Sequence, residues 1–212
     1  ETNIQYHIPA DVLPFGLSAK VGYQPNIGDQ TGGNDFKNTG AINPKTLVGQ
    51  SMTQYRVDAA PIDGLKIGAD YANTDGSTAT AQEAESGAYF AQYAMGNFKV
   101  GYGKSLYAVP LTDKNGNVTE YDTTSMGIEF AVNDQLSISY TKEKSEAMTA
   151  VAITNGASSN TKTTVESDIT TLQAAYVIGG ATVGIATTET SDADYVSGKE
   201  EKVTVLSIAM AF

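Results

Sequence analysis

The chain has 212 residues with 24 acidic against 13 basic side chains, a formal net charge of −11, which argues against a nucleic-acid partner because phosphate binding needs a basic surface. It contains no Cys, which excludes a disulfide scaffold and a thiolate metal site. Mean hydropathy is −0.22, and no apolar run approaches the roughly 18–20 residues of a membrane helix. A membrane barrel escapes that last test, since its lipid-facing and lumen-facing residues alternate and average out. No signal peptide is legible, so the sequence reads as a mature chain or a fragment.

Taken in order, the chain reads as hairpins. Residues 3–8 alternate Ile4, Tyr6 and Ile8 against Asn3, Gln5 and His7, which is strand period. A turn with Pro9 and Pro14 leads to a strand over 15–24, where Phe15, Leu17, Ala19, Val21 and Tyr23 oppose Gly16, Ser18, Lys20, Gly22 and Gln24. Residues 25–46 are rich in Gly, Asn, Asp and Thr and read as a loop. Strands at 50–58 and 65–72 flank a short turn at 60–64, and a polar loop covers 73–83. Strands at 85–95 and 98–107 meet at Gly96-Asn97. Two more hairpins follow, 125–132 with 136–143 through Asn133-Asp134-Gln135, and 171–178 with 181–188 through Gly179-Gly180. A loop at 191–199 precedes the last strand, EEKVTVLSIAMAF, in which Thr204, Leu206, Ile208, Met210 and Phe212 share a face.

About eleven strands result, and the connections between them alternate short and long. Short turns on one rim with long polar loops on the other are the layout of an outer-membrane barrel, and a soluble sandwich has no reason to keep it. One parity collects Tyr6, Val21, Tyr55, Ile67, Tyr89, Val100, Ile128, Ile138, Leu172 and Ile185. The other collects Gln5, Ser18, Gln54, Ser137, Ser139 and Thr182 with many Gly and Ala. A small closed barrel fills its interior with large side chains, so a small, polar interior predicts room for water. The alternative from a different class is a soluble secreted β-rich adhesin or binding module, which would need no detergent.

The hairpins YAMGNFKVGYG (93–103), GIEFAVNDQLSISYTKE (127–143) and AAYVIGGATVGIA (174–186) resemble those of sixteen-stranded Gram-negative general porins, nearest to alpha-proteobacterial forms, over essentially the whole chain. The resemblance implies an all-β transmembrane antiparallel up-and-down β-barrel, one domain over 1–212, sixteen strands if complete and about eleven here. It also implies a passive diffusion channel for small hydrophilic solutes and ions, without enzymatic activity or cofactor. A homotrimer in the cell outer membrane, in contact with lipid and lipopolysaccharide, would follow, with Phe212 as the C-terminal assembly signal. One departure stands against the pattern: an odd count puts the N-terminus on the external side, whereas bacterial barrels have even counts. Either the first strand does not span, leaving a barrel of about ten, or an N-terminal portion is missing. Family length points to the second, with these strands as the sixth to sixteenth and the inward third external loop among the missing parts.

The candidate site is a row on the polar parity: His7, Lys20, Arg56, Lys66 and Lys99, with the acids Asp58, Asp70 and Glu129 on the same parity. A charge at mid-strand on the lipid side would cost about 2–4 kcal/mol at the midplane, so these side chains are expected to point inward. The row resembles the basic ladder on the wall of general porins. The competing structural reading is inward charges paired with Asp58 or Asp70 merely to join strands. His7 is the only histidine and has no neighbouring nucleophile motif, so neither a catalytic triad nor a metal site is expected. The run from Asp113 to Glu120 lacks the twelve-residue calcium-loop frame and reads as a hydrated Asn-Gly turn. Acidic residues gather in the presumed external loops (Asp29, Asp35, Asp75, Glu83, Asp113, Glu120, Asp122, Asp192, Asp194). Divalent cations bound there could bridge to lipopolysaccharide.

Overall fold

The computed structural model describes residues 3–25, 51–74, 83–109, 118–150 and 162–210. These residues form eleven strands: β1 (Ile4–Ile8), β2 (Ser18–Gln24), β3 (Met52–Ala59), β4 (Leu65–Thr74), β5 (Glu85–Met95), β6 (Phe98–Ala108), β7 (Val118–Ala131), β8 (Leu136–Ala150), β9 (Lys162–Ile178), β10 (Ala181–Ser191) and β11 (Glu201–Met210). They build one sheet in sequence order from β1 to β11, and every neighbouring pair is antiparallel. This is the up-and-down topology that the alternating connections predict.

The short turns lie together on one rim, where backbone hydrogen bonds tie each to the next strand. Ala60 N–H donates to Phe15 O at 3.0 Å, Ala94 to Gly64 at 2.9 Å, Ala131 to Asn97 at 2.9 Å and Val177 to Gln135 at 2.8 Å. Asn133 Oδ1 accepts the N–H groups of Gln135 and Leu136, both at 2.9 Å, closing its turn as Asx chemistry does. Gly64 sits at φ +79°, and a Cβ there would lie 2.2 Å from the Ala94 carbonyl oxygen. Gly96 also has positive φ (+56°) but meets nothing within 4 Å. Gly64→Ala should therefore lose the hydrogen bond to β5 as well as the backbone ease, and its urea midpoint should fall clearly. Gly96→Asn should cost at most a few tenths of a kcal/mol, because Asn tolerates the left-handed region.

The sheet has no interior of the usual kind. Among the described residues no large side chain is fully buried, and the buried apolar residues are Val109, Ala147 and Ala193. Most of the large apolar groups stand on one face and are open, Tyr6 at 68%, Leu172 at 60% and Leu206 at 69%, while Phe90, Val177, Val203 and Val205 are exposed on the other. A soluble sandwich would cover that face with a second sheet; the described residues form one sheet only. An apolar face of this extent calls for lipid or a partner surface, while the ladder satisfies the backbone groups that lipid cannot. Aromatic pairs mark the face at two levels. Phe98 and Phe130 stack at 4.5 Å beside the short-turn rim, where an interfacial girdle would sit, and Tyr89 and Tyr102 meet at 6.3 Å near mid-strand.

Several strand limits differ from those read in the sequence, most of all on β7, β8 and β9. β7, β8 and β9 have 14, 15 and 17 residues, beyond the roughly 9–11 that span a bilayer. Their upper parts carry Thr, Ser, Lys and Glu on both parities, so the apolar alternation that marks a strand stops where the lipid would. Cross-strand ion pairs on the outer parity join them there: Lys104–Asp122 at 2.9 Å, Lys142–Asp168 at 3.6 Å and Lys144–Glu166 at 2.5 Å. Asp122 and Glu120, expected in a loop, are thus strand residues. At the other end, Phe15 and Leu17 precede β2, because Pro14–Gly16 forms a 3-10 turn with Phe15 at φ +62°.

Candidate functional site

The polar face is assembled by register. Across four adjacent strands His7 pairs with Lys20, Lys20 with Arg56 and Arg56 with Asp70, so one transverse line holds four ionisable groups. Lys66 lies on the same face four positions before Asp70 on β4 and opposite Gln92. Lys99 and Glu129 are direct partners on β6 and β7. The five basic and three acidic residues singled out in the sequence therefore share one face.

Side-chain geometry divides the cations. The Arg56 guanidinium grips Asp58 with two bonds, Nε to Oδ2 at 2.7 Å and Nη2 to Oδ1 at 2.8 Å, the paired fork that gives Arg–carboxylate contacts their direction. Gly68 makes this possible: a Cβ there would sit 2.8 Å from Asp58 Oδ1 and 2.5 Å from the Phe90 ring. Lys99 Nζ lies 3.7 Å from Glu129, a loose and exposed pair of small energetic weight. His7 Nε2 meets Gln5 Oε1 at 3.0 Å. Lys20 and Lys66 have no ion-pair partner among the described residues. Arg56 is thus paired, but with Asp58 on its own strand and not across to a neighbour, while Lys20 and Lys66 keep their positive charge open.

Beyond these charges the face is mostly small and hydroxylated, interrupted by Phe90, Val177, Val203 and Val205. Glu129, Ser137, Ser139, Gln173, Thr182 and Ser207 line a shallow concavity across β7 to β11, and Thr171 and Thr188 share a hydrogen bond at 3.0 Å. No group of three or more His, Cys, Asp or Glu among the described residues could hold a metal ion. Phe212, the expected assembly signal, lies outside the described residues, as do Asp29, Asp35, Asp75 and Asp113.

One contributor was not singled out in the sequence. The β10–β11 connection turns onto the polar face, where Tyr195 meets β7 and β8. Its signal was a Tyr-Val pair inside an otherwise polar loop of Ser, Asp, Ala, Gly and Lys.

A single antiparallel sheet in chain order, apolar on one face and polar on the other, defines a membrane-type up-and-down β-barrel wall. Solved structures of the same fold are outer-membrane β-barrel porins. OmpF of Salmonella typhi in complex with daunomycin superimposes with a TM-score of 0.63 at 14% identity, covering 98% of this chain and 61% of that one. The outer-membrane-expressed OmpT of Vibrio cholerae gives 0.55 at 14% identity, covering 98% and 62%. In-vitro folded OmpT, an outer membrane protein of Vibrio cholerae in its trimer form, gives 0.52 at 14%, with the same coverage of 98% and 62%. The chain thus spans about three-fifths of the length of these structures. No protein-family model and no curated protein matches it.

Proposed function

We propose that the chain is the greater part of an outer-membrane porin of Gram-negative type, a non-enzymatic channel for passive diffusion of small hydrophilic solutes and ions. The observation that carries this reading is the opposition of the two faces. An uncovered apolar surface with interfacial aromatics suits lipid, and the small, hydroxylated and charged face behind it suits water. In this reading residues 1–212 form one domain. β1 and β11, each paired on one side only among the described residues, are closed by further strands to the even count of bacterial barrels, sixteen on the porin pattern. Lys20, Arg56, Lys66, Lys99 and His7, with Asp58, Asp70 and Glu129, line the conducting path. The outer face meets membrane lipid and lipopolysaccharide, and a homotrimer is the assembly that the porin pattern suggests.

The test is conductance. The whole barrel, refolded in detergent and added to planar bilayers, should give stepwise ohmic currents, and its proteoliposomes should swell in small sugars. Inserted, folded protein that passes neither ions nor sugars would overturn the reading.

A further inference from the structure

The β10–β11 connection is the one external connection described from end to end, and it is held against the wall. β10 ends at Ser191, beside Asp168, well below the top of β9 at Lys162. The chain then bends onto the polar face of the taller strands. Tyr195 Oη meets Ser145 Oγ at 2.8 Å, and Ser145 Oγ meets Thr123 Oγ1 at 2.8 Å. The Tyr195 ring packs on Tyr121 with centroids 5.4 Å apart and a tilt of 46°. Ala193, Ser145 and Ser167 are buried beneath the bend.

The bend is fixed by its own chemistry. Asp192, Asp194 and Tyr195 all take positive φ, at 52°, 55° and 59°, a conformation that persists in non-glycine residues only where surroundings impose it. Asp192 Oδ1 accepts the Gly198 N–H at 2.6 Å, and Ala193 N–H donates to Lys199 O at 2.8 Å. Lys199 bridges Asp194 and Glu201, the latter at 2.8 Å. Its ammonium, hydrogen-bonded first by Asp194 and then by Glu201, is pushed up to about 12. Raised from an ordinary 10.5, it adds stability in full below that value and loses it as pH rises through about 12, so the clasp stays charged at neutral pH.

Resting on the channel reading, we infer that this connection is an inward constriction at the external mouth and that Tyr195 is its size-selecting residue. The ring is half-buried against Tyr121, which leaves its other side facing the space that solutes cross. A rigid aromatic layer there narrows the passage where the wall already stands above the lipid. The Ser145 and Thr123 hydroxyls beneath it are bonded to each other and to Tyr195 Oη, so they hold the ring in place against the wall.

Because the chain has no cysteine, Tyr195→Cys carries a single thiol. A bulky thiol-reactive reagent added from the external side should lower single-channel conductance of this variant by about half, since passage scales with the open cross-section, and leave wild type unaffected. Tyr195→Ala should raise conductance and admit larger sugars in swelling assays, while Tyr195→Phe, which keeps the ring, should stay near wild type. Each Cys channel is compared with itself before and after reagent, so the result does not depend on equal folding yields. Labelled channels that conduct undiminished, with Tyr195→Ala matching wild type, would overturn the inference. A wild type that never conducts would instead remove the channel reading itself.

Discussion

Ile138→Arg should destabilise the folded barrel in lipid vesicles by about 2–4 kcal/mol, the cost of a charge near the bilayer midplane, whereas Ser139→Arg should change stability little. The two positions are adjacent on β8 and face opposite ways. Ile138 pairs with Phe130 and Ala174 and stands 41% exposed between Leu136 and Tyr140. Ser139 pairs with Glu129 and Gln173, so an arginine there gains water and a carboxylate. The difference between the two variants isolates what each face touches, because strand propensity and backbone position are nearly the same. Urea unfolding from vesicles measures it. On a water-facing sheet, Ile138→Arg would be almost free, since surface changes usually stay within about 0.5 kcal/mol. Equal costs at 138 and 139 would therefore remove lipid from the account of this face.

The same alternation explains which parts of the fold were legible. Turns such as Gly96-Asn97 and Gly179-Gly180 sit between strands whose apolar residues recur at every second position, and a one-residue slip would exchange the faces. Strand number, order and register follow from that constraint. Where it lapses, so does the reading. Thr123, Lys144 and Glu166 carry no apolar period, and their strand form rests on cross-strand partners that sequence order does not reveal. The common face of Lys20, Arg56 and Asp70 was legible from parity. Their distribution of charge was not, because the Arg56–Asp58 fork depends on rotamers and on the space left by Gly68. Tyr195 shows a further limit. Its partners Ser145 and Tyr121 lie on β8 and β7, the nearer 50 residues away in the chain, so no local pattern announces that the loop bends inward.

Ion selectivity should follow the open lysines and not the count of basic residues. Lys20→Gln with Lys66→Gln should move the reversal potential of the channel toward cations, and Arg56→Gln with Asp58→Asn should leave it nearly unchanged. The Arg56 charge is cancelled at 2.7 and 2.8 Å by Asp58, so removing both members leaves the more distant field as it was. On the proposed channel reading, Lys20 and Lys66 act on whatever passes. At roughly 5 Å in a water-like medium each contributes about 0.5–1 kcal/mol, a two- to fivefold change in local anion concentration, and low-dielectric walls strengthen the effect. The overall charge of −11 pulls the other way. Charges on the external loops are largely screened beyond about 8 Å at physiological salt, so the local lysines should dominate there and lose ground as salt is lowered. Arg56→Gln alone, which frees Asp58, should shift the potential toward cations as well. That single variant tells a neutral pair from a pair remote from the path. Reversal potentials under a salt gradient that stay put for Lys20→Gln/Lys66→Gln, in channels that insert normally, would take these lysines off the conducting wall.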